Sequence, residues 1–182
     1  MPSPTGANLP LALASLHTEL GISPEYLAAR GLRLYPEATG TVLADRDPDD
    51  GKEVRLVPGA AAAWVAMRDA AAAAGVTLWA CSGFRSYGYQ AELVRRKLAE
   101  GVPLDEALAV VAPPGCSEHH AGRAVDIATP ESERLEADFA DTPAFAWLSR
   151  HAAEHGFELS FPEGNAEGFE YEPWHWRWSP GS

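Results

Sequence analysis

Hydrophobic residues recur at helical spacing along much of the chain, and Pro and Gly mark where the helical stretches begin and end. Ser23 followed by Pro24 is a typical helix start, with a capping hydroxyl and a proline in the first turn. Gly75, Gly101 and Gly156 stand where helices commonly end. Besides the helix that starts at Ser23, the pattern predicts helices over residues 9–20, 58–74, 86–100, 103–111 and 143–155.

Shorter segments carry the β-branched and aromatic residues that are typical of strands. Residues 36–53 are rich in Pro, Gly and Asp, which predicts a loop or a hairpin. Helices and short strands are mixed without the regular βαβ rhythm of a doubly wound sheet. We therefore predict an α+β fold in which helices flank a small antiparallel sheet. Its strands are expected at residues 76–81, 124–127, 157–161 and 170–178.

Length and charge narrow the range of partners. The chain has 182 residues, which suits one domain with a substantial core, and its formal net charge is -12. Nucleic acids and anionic membranes are held by clustered Lys and Arg, so neither is an expected partner. The N-terminal region has no basic residue before its apolar stretch, and no run of about 18 apolar residues occurs. The sequence thus predicts a cytoplasmic protein, and we expect a monomer.

The two cysteines, Cys81 and Cys116, are too few for an all-cysteine zinc site, which needs four thiolates. A secreted disulfide scaffold would normally carry more than two. We expect two reduced, buried thiols. A single disulfide stays open, because each cysteine borders one of the motifs described next.

The first candidate site is the segment 117–126, which reads Ser-Glu-His-His-Ala-Gly-Arg-Ala-Val-Asp. Imidazole nitrogens and carboxylate oxygens are good ligands for zinc. A loop that turns at Gly122 could fold His119 back toward Asp126. Taken alone, the segment is more typical of a polar loop with a capping aspartate.

The second candidate site, residues 170–178, sets Glu172 and His175 among aromatic residues. Strict strand alternation would direct these two side chains to opposite faces. Pro173 argues against strict alternation and predicts an edge strand or a bulge, and a bulge could turn both side chains into one cleft. Taken alone, an edge strand with exposed polar residues is the simpler interpretation.

The third candidate site, residues 82–90, follows a predicted strand, where functional side chains often lie. Arg85 could pair with a carboxylate through two parallel hydrogen bonds, or with a tetrahedral oxyanion. Taken alone, a turn capped by Ser86 explains the segment. Together the segments supply what a catalytic zinc site requires, namely three protein ligands and a nearby carboxylate base. The candidate ligands are His119, Asp126 and His175, and the candidate base is Glu172.

Taken in order, these motifs resemble the zinc D-alanyl-D-alanine carboxypeptidase family, in its VanY-like branch, within the superfamily of lysostaphin-type peptidases and hedgehog domains. The family pattern Ser-x-His-x-x-Gly-x-Ala-x-Asp is matched from Ser117 to Asp126, and Glu-x-Trp-His is matched from Glu172 to His175. The pattern Ser-Gly-aromatic-Arg-Ser-x-x-x-Gln is matched at residues 82–90. The stretch 147–164 resembles the connecting helix and strand of the family. The resemblance covers roughly residues 55–178.

The resemblance implies a role for each motif residue. It implies a zinc ion held by His119, Asp126 and His175, in the antiparallel sheet. It implies that Glu172 is the catalytic base, which takes a proton from the attacking water and passes it to the leaving amine. It further implies that Arg85 serves catalysis by holding the substrate carboxylate or the developing oxyanion.

Three further residues belong to the predicted substrate site. Ser117 and Gln90 fall at family positions that line it, and Trp174 is expected to form a wall of the cleft unless it belongs to the core. His151 and His155 are spaced like the ligands on a zinc-binding helix. We expect no metal there, because no Glu follows His151 and the segment matches a structural helix of the family.

The resemblance implies a zinc-dependent peptidase that acts on peptidoglycan-derived peptides or muropeptides. We expect residues 55–182 to form the carboxypeptidase core, and residues 1–54 to form a helical and loop cap on the same domain. An L,D-carboxypeptidase that removes D-Ala from tetrapeptides is favoured, because internalised wall fragments are recycled in the cytoplasm. The alternatives are a D,D-carboxypeptidase on pentapeptides ending in D-Ala-D-Ala, a peptidoglycan endopeptidase, and a non-catalytic zinc-binding module.

Overall fold

The computed structural model describes residues 10–180, which contain six α-helices and six strands. The helices are α1 (Leu11–Leu20), α2 (Pro24–Ala29), α3 (Pro58–Ala73), α4 (Tyr87–Ala99), α5 (Leu104–Val110) and α6 (Pro143–His151). The strands are β1 (Val42–Arg46), β2 (Glu53–Leu56), β3 (Trp79–Ser82), β4 (Ala124–Ala128), β5 (Phe157–Leu159) and β6 (His175–Trp178). Within this described range, no helix is both long enough and apolar enough to cross a membrane.

The strands form two antiparallel sheets. β1 and β2 pair as a hairpin that begins in the region 36–53, where the sequence predicts a loop or hairpin, and extends three residues beyond it to Leu56. The other four strands lie in the order β3-β4-β6-β5, and every neighbouring pair is antiparallel. Helices pack around this small sheet, so the predicted α+β class is confirmed.

Local sequence explains where the helices begin and end. The Ser23 hydroxyl accepts a hydrogen bond from the Tyr26 backbone N–H at 3.2 Å at the start of α2. Ser86 caps α4 in the same way, with 3.1 Å between its hydroxyl and the backbone nitrogen of Tyr89. After α3 ends, Gly75 adopts a φ of 78°, which glycine reaches without steric cost.

The main core lies between α3, α6 and the four-stranded sheet. α3 turns Ala60, Trp64, Met67 and Ala71 inward at helical spacing, and each is almost completely buried. All five residues of β4 are buried as well, and Val125 and Ile127 belong to the main core. The one polar residue of β4, Asp126, is therefore held within the protein.

Residues 10–56, which carry α1, α2 and the hairpin, contribute to two buried clusters. Leu20, Ile22 and Leu27 join a second buried cluster with residues of α4 and α5. The hairpin enters the main core through Ala44 and Val54. This burial ties the N-terminal helices and the hairpin to the elements that carry the candidate site.

The segment 170–178 differs most from its predicted structure, because only its last four residues form a strand. Pro173 cannot donate to a sheet ladder. The His175 backbone N–H instead donates to the Glu172 carbonyl at 3.1 Å and closes a turn. The predicted bulge is thus a turn, and the predicted edge position is wrong because β6 lies between β4 and β5.

Smaller differences lie at element ends. β3 begins at Trp79, three residues later than predicted, and β5 ends at Leu159. α6 ends at His151, and a 3₁₀-helix (Ala152–His155) completes the predicted helical stretch. The helix predicted over 9–20 corresponds to α1, which begins at Leu11 after Pro10, and position 9 lies outside the described residues.

Candidate metal centre

The three candidate segments meet at one end of the four-stranded sheet. Asp126 on β4 is the register partner of Ser82 on β3 and of His175 on β6. Strand pairing therefore brings the end of the first segment beside the other two. The positions of His119 and Arg85 follow from the loops that adjoin these paired residues.

Three polar side chains converge there on a single point. Ligand atoms of His119, Asp126 and His175 all lie within 4.8 Å of one another, and each residue is buried. The His119 Nε2 atom lies 3.2 Å from Asp126 Oδ2, and the His175 Nδ1 atom lies 3.0 Å from Asp126 Oδ1. The cluster contains the three residues that the sequence nominates as metal ligands.

The turn at Gly122 allows this convergence. Gly122 has a φ of 63° in the left-handed region and ends the 3₁₀-helix Glu118–Ala121, which carries His119. A Cβ atom at this position would lie 3.1 Å from Ala38 Cβ and 3.2 Å from Val57 Cγ1. Glycine thus both permits the reversal of the chain and fits the narrow space that the reversal leaves.

Hydrogen bonds orient both imidazole rings. The Nδ1 atom of His119 lies 2.6 Å from the Gly83 carbonyl, which can only accept, so Nδ1 carries the proton and Nε2 keeps its lone pair. The His175 ring has the opposite arrangement, with its Nε2 atom 3.0 Å from Glu118 Oε2 and its Nδ1 atom directed at Asp126. A metal-binding histidine usually donates its other N–H in this way.

The donor set suits a zinc ion. Two imidazole nitrogens and one carboxylate are three protein ligands of the kinds that catalytic zinc sites use, leaving a further position for water or substrate. Burial lowers the pKa of His119 to about 4, so its ring is neutral at physiological pH, which is the form that binds metal. Burial alone would lower the pKa of His175, but hydrogen bonds to Asp126 and Glu118 raise it to about 10. A metal ion must therefore displace a proton from His175.

Glu172 lies beside the cluster without belonging to it. Its Oε2 atom is 3.7 Å from His175 Nδ1, and its side chain is 16% exposed. Burial raises the pKa of Glu172 to about 7, with Asp126 adding to the increase and His175 opposing it. A carboxylate with this pKa can both accept and release a proton near neutral pH, as a general base and acid must.

Arg85 lies between β3 and the cluster. Its Nε atom donates to the Ser82 hydroxyl at 2.9 Å, and its Nη2 atom forms an ion pair with Asp126 Oδ2. The ion pair holds the guanidinium next to the candidate ligands. A guanidinium has five N–H donors, so these two contacts leave donors for a bound carboxylate.

A cleft of about 590 Å³ opens onto the cluster and onto all of the predicted substrate residues. Ser117 caps the 3₁₀-helix of His119, with 3.4 Å between its hydroxyl and the His119 backbone nitrogen. The Gln90 side chain donates to the Ala112 carbonyl at 2.9 Å, and its Oε1 atom has no protein partner within the described range. Trp174 lines the cleft and also packs against the main core.

His120 and His151 lie outside the three-residue cluster and make other contacts. His120 accepts a hydrogen bond from the Gly115 N–H at 3.0 Å and lies 2.7 Å from the Arg85 carbonyl, which links two of the motifs. His151 pairs with Glu154 at the surface, away from the cluster. In the described part of the chain, the three-residue cluster is the one group of His, Cys, Asp or Glu found to be arranged for a metal ion.

Glu118 is the site residue that the sequence interpretation did not single out. Its carboxylate is 5% exposed and receives the His175 ring on one oxygen and Arg177 on the other, at 3.0 and 3.2 Å. Burial would raise its pKa, but the hydrogen bond to His175 and the charge of that ring outweigh burial and lower the pKa to about 2. Its place beside His119 in the first motif was the available signal.

Two histidines, an aspartate and an adjacent glutamate in one cleft define the class of single-zinc peptidase sites. The comparison with known proteins gives the family. Residues 53–181 match the VanY model, D-alanyl-D-alanine carboxypeptidase, and the chain belongs to this family.

Relatives and solved structures agree with this assignment. The chain is 36% identical over 123 residues to a putative carboxypeptidase, YodJ, of Bacillus subtilis (strain 168), a match that covers 65% of this chain and 44% of that protein. The chain thus spans about half the length, 43% to 53%, of the curated relatives that it matches.

Two solved structures show the same fold. The LdcB LD-carboxypeptidase superimposes with a TM-score of 0.70 at 31% identity, covering 78% of this chain and 69% of that one. A mutant of the vancomycin resistance D,D-pentapeptidase VanY, in complex with Zn(II), superimposes with a TM-score of 0.56 at 28% identity. That match covers 79% of this chain and 82% of the other.

Proposed function

We propose that the protein is a zinc carboxypeptidase that removes the terminal D-Ala from peptidoglycan stem peptides, and that it acts as an L,D-carboxypeptidase on tetrapeptides. The observation that carries the proposal is the buried cluster of His119, Asp126 and His175, with Glu172 3.7 Å from His175 and Arg85 in the same cleft. The likeness to the LdcB LD-carboxypeptidase, with a TM-score of 0.70 at 31% identity, supports the L,D-activity. The D,D-dipeptidase VanXYg superimposes with a TM-score of 0.65 at 25% identity, so a D,D-activity is the alternative that the experiment below distinguishes.

His119, Asp126 and His175 would hold the zinc ion, which supplies a Lewis acid for the scissile carbonyl and makes water more acidic. Glu172 takes the proton from the attacking water and delivers it to the leaving amine. Its burial suits this exchange, because a pKa of about 7 lies near the operating pH. The Gly83 carbonyl and the Glu118 carboxylate keep the two imidazole rings in place.

Arg85 would bind the terminal carboxylate of the peptide. It is held in the cleft by Ser82 and Asp126, so its charge is close to the site of hydrolysis. A carboxypeptidase requires a positive group at this end of its cleft, because the group selects chain ends over internal bonds. The cytoplasmic location that favours internalised fragments stays a prediction.

Mass spectrometry of defined muropeptides tests the proposal. The zinc-loaded protein is offered a tetrapeptide, a pentapeptide and a cross-linked fragment, with Glu172→Ala as the inactive variant and His151→Ala as a matched histidine control outside the cluster. We expect loss of one alanine from the tetrapeptide alone, abolished in Glu172→Ala and retained in His151→Ala. Loss from the pentapeptide alone would make the protein a D,D-carboxypeptidase. Cleavage of cross-linked fragments alone would indicate an endopeptidase, and no cleavage with zinc bound would indicate a binding module.

A further inference from the structure

Residues 35–38, here named the support segment, run beside the loop that carries His119. The Tyr35 backbone N–H donates to the Gly115 carbonyl at 2.8 Å, and the Ala38 N–H donates to the His120 carbonyl at 2.7 Å. The Tyr87 hydroxyl donates to the Tyr35 carbonyl at 2.9 Å. The support segment is therefore fixed to both ends of the ligand-bearing loop, although it precedes the family match, which begins at residue 53.

The support segment also reaches the hydrogen-bond network around His175. The Tyr35 hydroxyl donates to Glu118 Oε1 at 3.3 Å, and Arg177 contacts the same oxygen at 3.2 Å. The other oxygen, Glu118 Oε2, lies 3.0 Å from the Nε2 atom of His175. A continuous chain of contacts thus runs from Tyr35 through Glu118 to a candidate metal ligand.

The geometry shows that Glu118 acts through His175 and not as a ligand itself. Asp126 approaches the His175 ring at Nδ1, whereas Glu118 approaches it at Nε2, so the two carboxylates lie at different edges of the ring. Glu118 is also outside the three-residue cluster. A carboxylate in this position fixes the rotation of the ring and makes its other nitrogen a stronger donor to a metal.

We propose that Glu118 and Tyr35 are positioning residues for His175, which makes the support segment part of the metal centre. The inference rests on the metal-binding part of the proposed function. Tyr35 holds Glu118 from the side opposite the imidazole, and the backbone contacts of the support segment hold Tyr35. Arg177 has a second carboxylate partner, Glu158, so it keeps an ion pair when Glu118 is replaced.

Zinc affinity, measured by competition with a chromogenic chelator, tests this role independently of hydrolysis. We expect Glu118→Gln to weaken zinc binding about 10- to 100-fold, as is usual when the partner of a ligating histidine is altered. Tyr35→Phe removes one hydroxyl and should weaken binding about 2- to 10-fold, the range of one hydrogen bond. Tyr26→Phe is the matched control, because its hydroxyl contacts Arg30 and not the metal centre.

The double variant distinguishes positioning from general destabilisation. If Tyr35 acts through Glu118, then Tyr35→Phe combined with Glu118→Gln binds zinc no more weakly than Glu118→Gln alone. The visible absorption spectrum of the Co(II)-loaded protein should change in both single variants and stay unchanged in Tyr26→Phe. If circular dichroism shows that Glu118→Gln does not fold, the zinc affinity and the Co(II) spectrum of Tyr35→Phe test the inference instead.

Three results would overturn the inference. Equal zinc affinity and equal Co(II) spectra for Tyr35→Phe and Tyr26→Phe would remove Tyr35 from the metal centre. Fully additive losses in the double variant would show that Tyr35 does not act through Glu118. Failure of the wild-type protein to bind zinc would overturn the metal centre of the proposed function together with this inference, whereas zinc binding without hydrolysis would leave the inference standing and overturn the proposed activity.

Discussion

Gly83→Ala should damage the metal centre although Gly83 is not a ligand. The Gly83 carbonyl lies 2.6 Å from His119 Nδ1 and so directs the other ring nitrogen toward the cluster. A Cβ atom added to Gly83 would lie 2.7 Å from the Arg55 carbonyl oxygen and 2.8 Å from Val54 Cγ1. The first contact is with the backbone of β2, and Val54 is 2% exposed, so neither neighbour can move away freely.

The size of the effect follows from these contacts. Forcing extra atoms into a packed interior costs about 1–3 kcal/mol of unfolding free energy. For a chain of this length, each kcal/mol lowers the melting temperature by about 2–4 °C, so a decrease of about 2–12 °C is expected. Relief of the clash moves the Gly83 carbonyl away from His119, and loss of such a partner typically weakens metal binding about 10- to 100-fold.

Scanning calorimetry without zinc measures the first effect, and chelator competition measures the second. Gly88→Ala is the matched control, because the nearest heavy atom to its added Cβ is 4.0 Å away, in Ser86. Gly88 lies within α4, where alanine should add about 0.5–1 kcal/mol of stability and leave zinc binding unchanged. If Gly83→Ala retains both the melting temperature and the zinc affinity of the wild-type protein, the proposed orientation of His119 is wrong.

Three other predictions concern the base, the thiols and the hairpin. Glu172→Gln should bind zinc like the wild-type protein but hydrolyse peptide about 10²- to 10⁴-fold more slowly, and a parallel loss of zinc would contradict its role as base. Burial raises the pKa of Cys116 to about 12 and also raises that of Cys81, so iodoacetamide at pH 8 should alkylate both thiols only after denaturation; rapid labelling of the folded protein would refute this. Asp45 accepts hydrogen bonds from Trp64 Nε1 and from the backbone of β3, both at 3.0 Å, so Asp45→Ala leaves two buried donors without an acceptor. Urea unfolding should show a loss of about 2–6 kcal/mol, and a loss below about 1 kcal/mol would contradict this account.

Helices and their ends were predictable because the signals that define them are local. Ser86 and Gly75, for example, act on backbone groups within a few residues of themselves. The prediction of one strand over 170–178 was wrong for residues 170–174, because the break depends on more than local propensity. The aromatic residues of the segment suit a strand, but Pro173 and the turn from Glu172 to His175 separate the first half from the sheet. A propensity summed over the whole segment does not detect such a break.

The cysteines show a similar contrast. The sequence favoured two reduced, buried thiols and left a disulfide open. Both cysteines are free in the structure, and Cys116 is buried whereas Cys81 is half-buried. Cys81 stands at the position where the pairing of β3 with β4 shifts by one residue, and its thiol contacts the Asp126 carbonyl at 3.4 Å. Cys116 packs instead in the second buried cluster. The fact that each cysteine borders a site motif in the sequence therefore did not indicate a disulfide bond.

The candidate ligands could be nominated from motifs, but Glu118 could not be assigned a role in that way. An acidic residue at the start of a short helix is usually explained by the helix dipole. Its partners Tyr35, His175 and Arg177 are separated from it by 57 to 83 residues along the chain. Only the three-dimensional contacts reveal that one carboxylate links the support segment to a metal ligand.

The metal centre also depends on the pairing register of β4 and β6, which the spacing of residues in the sequence does not determine. Asp126 joins the cluster only because it pairs with His175, and a one-residue slip of β4 would direct its carboxylate to the other face of the sheet. Val125 and Ile127 face the main core, so such a slip would also place the Asp126 carboxylate among apolar residues, which is costly. Hydrogen bonds just outside the paired residues hold the register as well. The Trp178 N–H donates to the Arg123 carbonyl at 2.8 Å, and the Ile127 N–H donates to the Trp174 carbonyl at 2.9 Å. The second bond uses the turn that replaced the predicted strand, so the same departure from strand geometry that brings Glu172 toward His175 also holds Asp126 in register.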